Sequence, residues 1–401
     1  MFSSLQPTAG DPLLALMTAY KADSRPEKID LGVGVYKDEN GHTPVLATVK
    51  KAEAILLETQ DSKSYIGTAG APALGKAIEQ LLLPASYPGR KELLESGRVA
   101  TVQTPGGTGA LRIAADFIHR SLPNAKIWVS APTWANHFNV FQSAGLEVKE
   151  YRYYDQPTQS LDFAGMMAAL EAVPAGDVVL LHACCHNPTG LDLTAGQWEQ
   201  VATLLKERGI MPFVDAAYIG FAESLEEDTK GINILADHCP DMLVAASCSK
   251  NFGLYNERIG SLTLIAANER DAQAGFSQIN YCIRGNYSMP PNHGAAIVST
   301  ILNSPDLRAE WEDELAAMRS RILEMRLQFV ETLSKLGVKQ DFGFIAKQRG
   351  MFSFSSLSPE IVKKLQVEDA IYIVGSGRIN VAGMTPSNID RLCQAIARLL
   401  D

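Results

Sequence analysis

The chain has 401 residues, a length that exceeds one simple hydrophobic core and predicts a large and a smaller domain packed together. Asp and Glu number 45 against 36 Lys and Arg, which gives a formal net charge of -9 and argues against binding to the phosphate backbone of nucleic acids. The segment from Met1 to Asp11 lacks a basic stretch followed by an apolar run, and no segment is apolar over the thickness of a bilayer. We therefore expect neither a secretory signal nor a membrane partner.

The cysteines favour reduced, buried thiols in a cytoplasmic protein, because their neighbours are mostly apolar and no Cys-x-x-Cys pair is present. They are Cys184, Cys185, Cys239, Cys248, Cys282 and Cys393. The alternative is a metal site at Cys184, Cys185 and His186, but consecutive residues lack the spacing that is usual for structural zinc. We therefore expect no metal.

Short apolar runs rich in β-branched residues recur along the chain, with helical patterns between them. This alternation is typical of an α/β fold with a mostly parallel sheet flanked by helices. The runs are Val99–Gln103, Ile127–Ser130, Val178–His182, Pro212–Asp215, Leu243–Ser247 and Leu262–Ala266.

Helical periodicity is clearest over Thr194–Arg208 and over Asp306–Leu336, where apolar residues recur at steps of three and four. A helix as long as the second commonly bridges domains. Two short strand-like segments follow it, Gly350–Phe354 and Ile371–Val374, and a final helix is predicted over Pro386–Leu400.

Lys250 and Arg258 lie close together after one of the apolar runs, in the segment AASCSKNFGLYNERIG. Burial disfavours the charged form of an amine, so a lysine in this place can act as a nucleophile at neutral pH. Ser247, Ser249 and Arg258 are donors suited to phosphate. A lysine beside serines is also common on protein surfaces, so Lys250 alone does not establish a catalytic group.

A glycine-rich turn, QTPGGTGAL, joins a predicted strand to a predicted helix. Its backbone N–H groups and the positive end of the helix dipole are suited to an anion. Similar turns bind nothing in many α/β proteins, and the spacing of Gly106, Gly107 and Gly109 matches neither the dinucleotide fingerprint nor the Walker loop.

Polar residues follow two further apolar runs, in LHACCHNPTG and FVDAAYIGF. Ligands of open parallel sheets bind at the carboxyl ends of strands, where Asn187, Asp215 and Tyr218 are expected. A carboxylate beside an apolar run needs a cationic partner, and Asp215 is suited to a protonated pyridine nitrogen, whose ring then withdraws electrons. Alternatively, Asp215 caps a turn and Asn187 begins one.

In this chain order, the segments resemble the class I aminotransferases of the aspartate and aromatic amino-acid type. The resemblance extends from KIDLGVGVYKDENG (Lys28–Gly41) to GRINVAGM (Gly377–Met384). It implies pyridoxal 5'-phosphate (PLP) as cofactor, the type I fold of PLP enzymes and a homodimer with shared active sites. It also implies an N-terminal arm with part of the small domain in residues 1–43, a large PLP-binding domain in 44–305, and a bridging helix with the rest of the small domain in 306–401.

The resemblance implies cofactor-binding and catalytic roles at matching positions. Lys250 matches the lysine that binds PLP covalently and later moves the proton at the substrate's Cα, and Asp215 matches the partner of the ring nitrogen. Asn187 and Tyr218 match donors to the ring's phenolic oxygen. The residues expected to hold the phosphate are Gly107, Thr108, Ser247, Ser249, Arg258 and Tyr65 of the partner subunit.

Two aromatic residues complete the implied cofactor site. Trp134 matches the residue that stacks on the cofactor ring, and His137 is similar to a partner of Asp215 that does not touch the cofactor. Without the resemblance, both could be core residues at the start of a helix.

For the substrate, Arg378 matches the anchor of the α-carboxylate, assisted by Asn187 and the backbone of Gly34. Arg284 matches the arginine that crosses to the partner's site and binds the distal carboxylate of aspartate or glutamate. Strictly aspartate-type members usually have an asparagine five positions further on, whereas Met289 stands here. An apolar, adaptable side chain in that position resembles members that act on both dicarboxylic and aromatic amino acids.

The sequence therefore predicts a transaminase that moves the α-amino group of tyrosine, phenylalanine and aspartate to 2-oxoglutarate. A strict aspartate aminotransferase is the nearest alternative, whereas the pair Arg378 and Arg284 disfavours a β-lyase or decarboxylase. A PLP-binding module without turnover, as in some transcription regulators, would carry a DNA-binding domain, for which we expect no room before Lys28.

Overall fold

The structure, a computed structural model, describes residues 2–6, 10 and 12–400. Its helices are α1 (Pro12–Ala22), α2 (Ala47–Thr59), α3 (Pro72–Leu82), α4 (Arg90–Glu95), α5 (Gly106–Ser121), α6 (Asn136–Ser143), α7 (Phe163–Glu171), α8 (Ala195–Arg208), α9 (Leu225–His238), α10 (Glu269–Asn286), α11 (His293–Asn303), α12 (Pro305–Lys335), α13 (Pro359–Asp369) and α14 (Ile389–Leu400). Its strands are β1 (Ile29–Asp30), β2 (Val99–Pro105), β3 (Ile127–Ala131), β4 (Val148–Arg152), β5 (Tyr154–Asp155), β6 (Ser160–Leu161), β7 (Val178–His182), β8 (Met211–Ala216), β9 (Met242–Ser247), β10 (Ile259–Ile265), β11 (Phe352–Phe354), β12 (Ile371–Tyr372) and β13 (Arg378–Asn380).

A seven-stranded sheet forms the centre of the described part of the chain, in the order β2-β10-β9-β8-β7-β3-β4. β10 is antiparallel to both of its neighbours, and the other adjacent pairs are parallel. Every residue of β9 and β10 is buried, because helices cover both faces of the sheet. The predicted α/β class with a mostly parallel sheet is therefore confirmed.

The helix boundaries follow local capping signals. The predicted helix over Thr194–Arg208 begins one residue later, because Thr194 caps it. The Thr194 hydroxyl accepts from the N–H of Gln197, and the Gln197 side-chain oxygen accepts from the N–H of Thr194. The long predicted helix corresponds to α12, which Ser304 caps. The last helix begins at Ile389, three residues after the predicted start, because the Asn388 side chain accepts from the N–H of Thr385 and holds a turn there.

Two short strand pairs lie in the last part of the chain, and one of them joins it to the beginning. β1 pairs in parallel with β12, and β11 pairs with β13 in antiparallel register, with Phe354 opposite Arg378. The predicted strand-like segments at Gly350–Phe354 and Ile371–Val374 are thus present in shortened form as β11 and β12. These pairings suit the expected small domain, but the division at residues 43 and 305 stays a prediction.

The cysteines are free thiols, and all of them except the half-buried Cys282 are buried. Burial raises the pKa of Cys248 to about 12, so this thiol is protonated at neutral pH. Within the described ranges, no helix is both long and apolar enough to cross a membrane.

Candidate active site

A cleft of about 230 Å³ lies at the carboxyl ends of β7, β8 and β9, beside the N-terminus of α5. It brings together most of the residues singled out in the sequence. Those that line it are Gly34, Gly107, Thr108, Trp134, Asn187, Asp215, Tyr218, Ser247, Ser249, Lys250, Arg258 and Arg378.

Lys250 follows the end of β9 and points into this cleft. Its Nζ lies 4.7 Å from the centre of the Tyr218 ring. Burial lowers the pKa of Lys250 to about 8; the negative charge of Asp215 opposes this shift, and the positive charge of Arg258 adds to it. Roughly a tenth of an amine with that pKa is neutral at pH 7, against less than about one part in a thousand for an unperturbed lysine.

Asp215 lies within β8 and is 8% exposed. Its Oδ2 is 3.0 Å from Nε2 of His137, whose Nδ1 is 2.8 Å from the Thr133 hydroxyl. Burial works against ionisation of Asp215, but the hydrogen bond and charge of His137, with the charge of Lys250, outweigh it and hold the pKa of the carboxyl below its ordinary value. The site thus keeps a fully ionised carboxylate beneath the cleft.

An anion cradle is formed where β2 passes directly into α5. No loop separates them: the glycines of the predicted turn form the first turn of the helix, because Gly106 at φ 75° reverses the chain. A side chain at Gly106 would collide with the Arg258 guanidinium, and a Cβ at Gly107 would lie 3.0 Å from Cβ of Ser247. Arg258 donates to the Ser249 hydroxyl at 3.3 Å. Two hydroxyls, a guanidinium and the helix N-terminus therefore surround one space.

Arg378 forms the opposite wall of the cleft and is 7% exposed. It donates to the carbonyl of Gly32 at 2.8 Å and to Oδ1 of Asn187 at 3.4 Å. Its guanidinium lies 4.1 Å from the centre of the Phe352 ring, which makes a cation–π contact. Gly34 is required here because a Cβ would lie 2.6 Å from Cζ of Phe352.

Tyr65 and Arg284 lie outside the cleft of their own chain. Tyr65 is 91% exposed, and Arg284 is exposed near the end of α10, where it donates to the Ser288 hydroxyl. Met289 is half-buried just beyond it. Both exposed residues were assigned to the site of the partner subunit, so these positions agree with that assignment, which stays a prediction.

The cleft residues that were not predicted from the sequence include His182, Tyr255 and Phe352. Burial lowers the pKa of His182 to about 4, and neither of its ring nitrogens has a partner among the described residues. The hydroxyl of Tyr255 accepts from the N–H of Tyr36 at 2.8 Å. His182 and Tyr255 belong to quoted motifs, but nothing in their residue type distinguished them from core residues.

The donor set of the cleft fits PLP. Ser247, Ser249 and Arg258 suit a phosphate, and a low-pKa carboxylate at Asp215 suits a protonated ring nitrogen. Lys250, with its pKa near 8, suits a carbonyl carbon.

Comparison with known proteins agrees with this geometry. Residues 26–396 match the family model described as aminotransferase class I and II. The chain is 52% identical to an aspartate aminotransferase of Salmonella typhi over the whole of both chains, and 46% identical to an aromatic-amino-acid aminotransferase of Paracoccus denitrificans over 99% of each. Among solved structures, the aromatic-amino-acid aminotransferase of Burkholderia pseudomallei, covalently bound to pyridoxal phosphate, superposes with a TM-score of 0.96 at 45% identity over the whole of both chains.

Proposed function

Because the chain belongs to the class I and II aminotransferase family and is a PLP-dependent aminotransferase, we propose that it moves the α-amino group of aromatic amino acids and of aspartate to 2-oxoglutarate. The observation that carries the proposal is the cleft itself. It places Lys250, Asp215 and Arg378 around one space together with a phosphate cradle. The curated relatives include both aspartate and aromatic-amino-acid aminotransferases, which supports a dual substrate range.

Three groups of residues would hold PLP. The N–H groups of Gly107 and Thr108, with Ser247, Ser249 and Arg258, would bind its phosphate. Asp215 would hold the ring nitrogen protonated, and Trp134 would cover one face of the ring. When bound, PLP supplies an electron sink for the pair left on the substrate's Cα after its proton is removed.

Lys250 is the group that we assign to proton transfer at Cα. A pKa of about 8 leaves enough neutral amine at physiological pH to accept a proton, and the same amine as an ammonium can return it. Tyr218 lies against Lys250, and burial raises the pKa of its phenol well above the ordinary value, so it donates as a neutral hydroxyl. Tyr218 and Asn187 would together donate to the phenolic oxygen of the cofactor.

Arg378 would bind the α-carboxylate of every substrate. A planar guanidinium presents two parallel donors to a carboxylate, and the Phe352 ring lies against that of Arg378. Asn187 and the backbone of Gly34 border the same space. This contact fixes the orientation of the substrate but does not discriminate between side chains.

Discrimination would come from Arg284 of the partner subunit. Its guanidinium would pair with a distal carboxylate, whereas an aromatic ring requires the same group to remain hydrated or to move aside. Met289 provides no polar restraint five positions later. We infer that this freedom admits both kinds of substrate.

A homodimer in the cytoplasm, with shared sites, completes the proposal. The exposed Tyr65 and Arg284 and the reduced, buried thiols support it. Mixing Lys250→Ala chains with Arg284→Leu chains should restore activity toward aspartate, because one site of the hybrid dimer then contains both intact residues. Mixing Lys250→Ala with Arg378→Leu is the control: both lesions lie in the chain's own site, so no intact site forms. Equal activity of the two mixtures would contradict the shared site.

The substrate proposal is tested by half-reactions. Purified protein loaded with PLP should change from the aldehyde to the amine absorption spectrum on addition of glutamate, aspartate, tyrosine or phenylalanine. A response to glutamate and aspartate alone would favour the strict aspartate enzyme. Absorbance of bound PLP that no amino acid changes would favour a binding module without turnover.

A further inference from the structure

A second cavity, of about 320 Å³, lies between helix α12 and two segments that continue into the wall of the active-site cleft. We call it the rear cavity. Residues 221–223, which follow Tyr218, form one side, and residues 348–350, which precede Phe352, form another. The cofactor and substrate contacts proposed above use none of the residues that line it.

The rear cavity is rich in positive charge. Arg319 and Arg326 of α12 both line it and lie two helical turns apart, on one face of the helix. Arg349 adds a third guanidinium, which pairs at 3.1 Å with Glu223, the only carboxylate among the described residues that line the cavity. Neither Arg319 nor Arg326 has a carboxylate oxygen within 4.0 Å in the described part of the chain. The chain as a whole is acidic, so this excess of positive charge is local.

Arg326 is the most deeply buried of these cations, at 1% exposure. It donates to the Ser353 hydroxyl at 2.8 Å and to the carbonyl of Gly350. Burial lowers its pKa to about 10, so it remains charged at neutral pH. All of its hydrogen bonds are to neutral oxygens, so the charge of Asp192, which acts on it without a hydrogen bond, is not matched by a carboxylate in direct contact.

Gln348 supplies an unmatched donor at the same place. Its side chain is fully buried and lines the rear cavity. Its Oε1 accepts from the N–H of Phe354 at 3.2 Å, which fixes the amide orientation, and its Nε2 has no hydrogen-bond partner among the described residues. Buried donors of this kind are rarely left unsatisfied in native proteins.

We propose that the rear cavity binds a small oxyanion, a phosphate or a small carboxylate, held by the guanidinium groups of Arg319 and Arg326 and by the Gln348 amide. One multi-oxygen anion would supply both a counter-charge in direct contact with the guanidinium groups and the missing acceptor for the Gln348 amide. Arginine is the side chain best suited to such oxygens, because its donors are directed and remain charged.

The test uses PLP-loaded protein with the Arg378→Leu substitution, which weakens anion binding in the active-site cleft. Isothermal titration calorimetry at constant ionic strength measures the binding of inorganic phosphate in one arm and the binding of malonate in the other. Gln348→Glu retains the oxygen that accepts from Phe354 but replaces the free donor with a negative charge. We expect Gln348→Glu to raise the dissociation constant by about tenfold or more. Arg319→Gln should raise it as well.

Arg308→Gln is the matched control, because Arg308 lies on α12 outside the cavity and pairs with Glu312 at 2.9 Å. It should leave the dissociation constant unchanged.

Thermal unfolding in phosphate-free buffer checks that Gln348→Glu folds. The new negative charge can pair with Arg326, so its melting temperature should stay at or above that of the parent. Binding in the phosphate arm alone identifies a phosphate site, and binding of malonate identifies a carboxylate site. No binding to the parent protein, or equal binding to the parent and to Gln348→Glu, overturns the proposal.

Discussion

Replacing Asp215 by asparagine tests the central electrostatic feature of the cleft. The substitution preserves shape but removes the negative charge from a side chain that is 8% exposed and lies 3.0 Å from His137. Removing one member of a hydrogen-bonded charge pair in a desolvated site costs about 2 to 5 kcal/mol. If Asp215 holds the ring nitrogen protonated, this energy is lost from the transition state. We therefore expect kcat/KM to fall by about 30-fold to about 4,000-fold.

The assay is steady-state transamination of aspartate with 2-oxoglutarate at saturating PLP. Asp177→Asn is the matched control: Asp177 is 5% exposed and accepts from the Trp128 indole at 2.8 Å, but it precedes β7 at the other end of the sheet. It should lower the free energy of unfolding by about 1 to 3 kcal/mol and leave kcat/KM within about twofold of wild type. An Asp215→Asn enzyme that binds PLP and retains more than a tenth of wild-type activity would refute the reasoning.

Further predictions concern the amine and the two arginines. Lys250→Ala should abolish turnover while the protein still folds and binds PLP, and a loss below tenfold in steady-state rate would remove Lys250 from the catalytic role. In cofactor-free wild-type protein, covalent capture of PLP, followed by absorbance, should accelerate as pH rises through about 8 and level off above that pH, because the Lys250 amine is half neutral at its pKa and loses the rest of its protons above it. Arg378→Leu should reduce kcat/KM for every substrate, whereas Arg284→Leu should reduce it for aspartate and glutamate and spare phenylalanine; equal losses on both substrates would contradict the assignment. Met289→Asn should shift the ratio of kcat/KM toward aspartate by restraining Arg284, and an unchanged ratio would reject that mechanism.

The central strands were predictable because their physical requirements are local. A strand buried on both faces must be apolar throughout, so β7, β8 and β9 stand out as continuous runs. The antiparallel direction of β10 was not predicted, because an apolar run does not show whether a strand lies parallel or antiparallel to its neighbours. The clue lay in the connection: a parallel crossover needs a helix or a comparably long segment, and residues 248–258 form only turns.

The active-site residues also differ in whether local sequence or the packing of distant segments determines their position. Lys250 and Asp215 follow or end strands, so topology alone places them at one edge of the sheet. Phe352 reaches Arg378 only because β11 and β13 pair in one register, and that pairing depends on the packing of distant segments. His182 ends a predicted strand, but the sequence does not show that its ring lacks hydrogen-bond partners.

The contact between His137 and Asp215 extends the opening prediction to pH. His137 stacks on Phe141 at an interplanar angle of 12°, so His137→Phe preserves the ring packing and removes the charge and the hydrogen bonds to Asp215 and Thr133. In wild type, burial would raise the pKa of Asp215, but His137 outweighs it and the pKa lies below the ordinary 3.8. The ionised carboxylate is therefore present above that pKa and is lost only as pH falls through it.

Without His137, burial dominates and the pKa of Asp215 rises, so the carboxylate should lose its ionised form at a higher pH. Because the Asp215 pKa of wild type lies below about pH 5, we expect the acid limb of kcat/KM that it sets to move up into the measured range, about pH 5 to about pH 9, in His137→Phe while activity recovers on the alkaline side. A loss of the same factor at every pH, with the acid limb unmoved, would show that His137 supports the site by packing and not through the charge of Asp215.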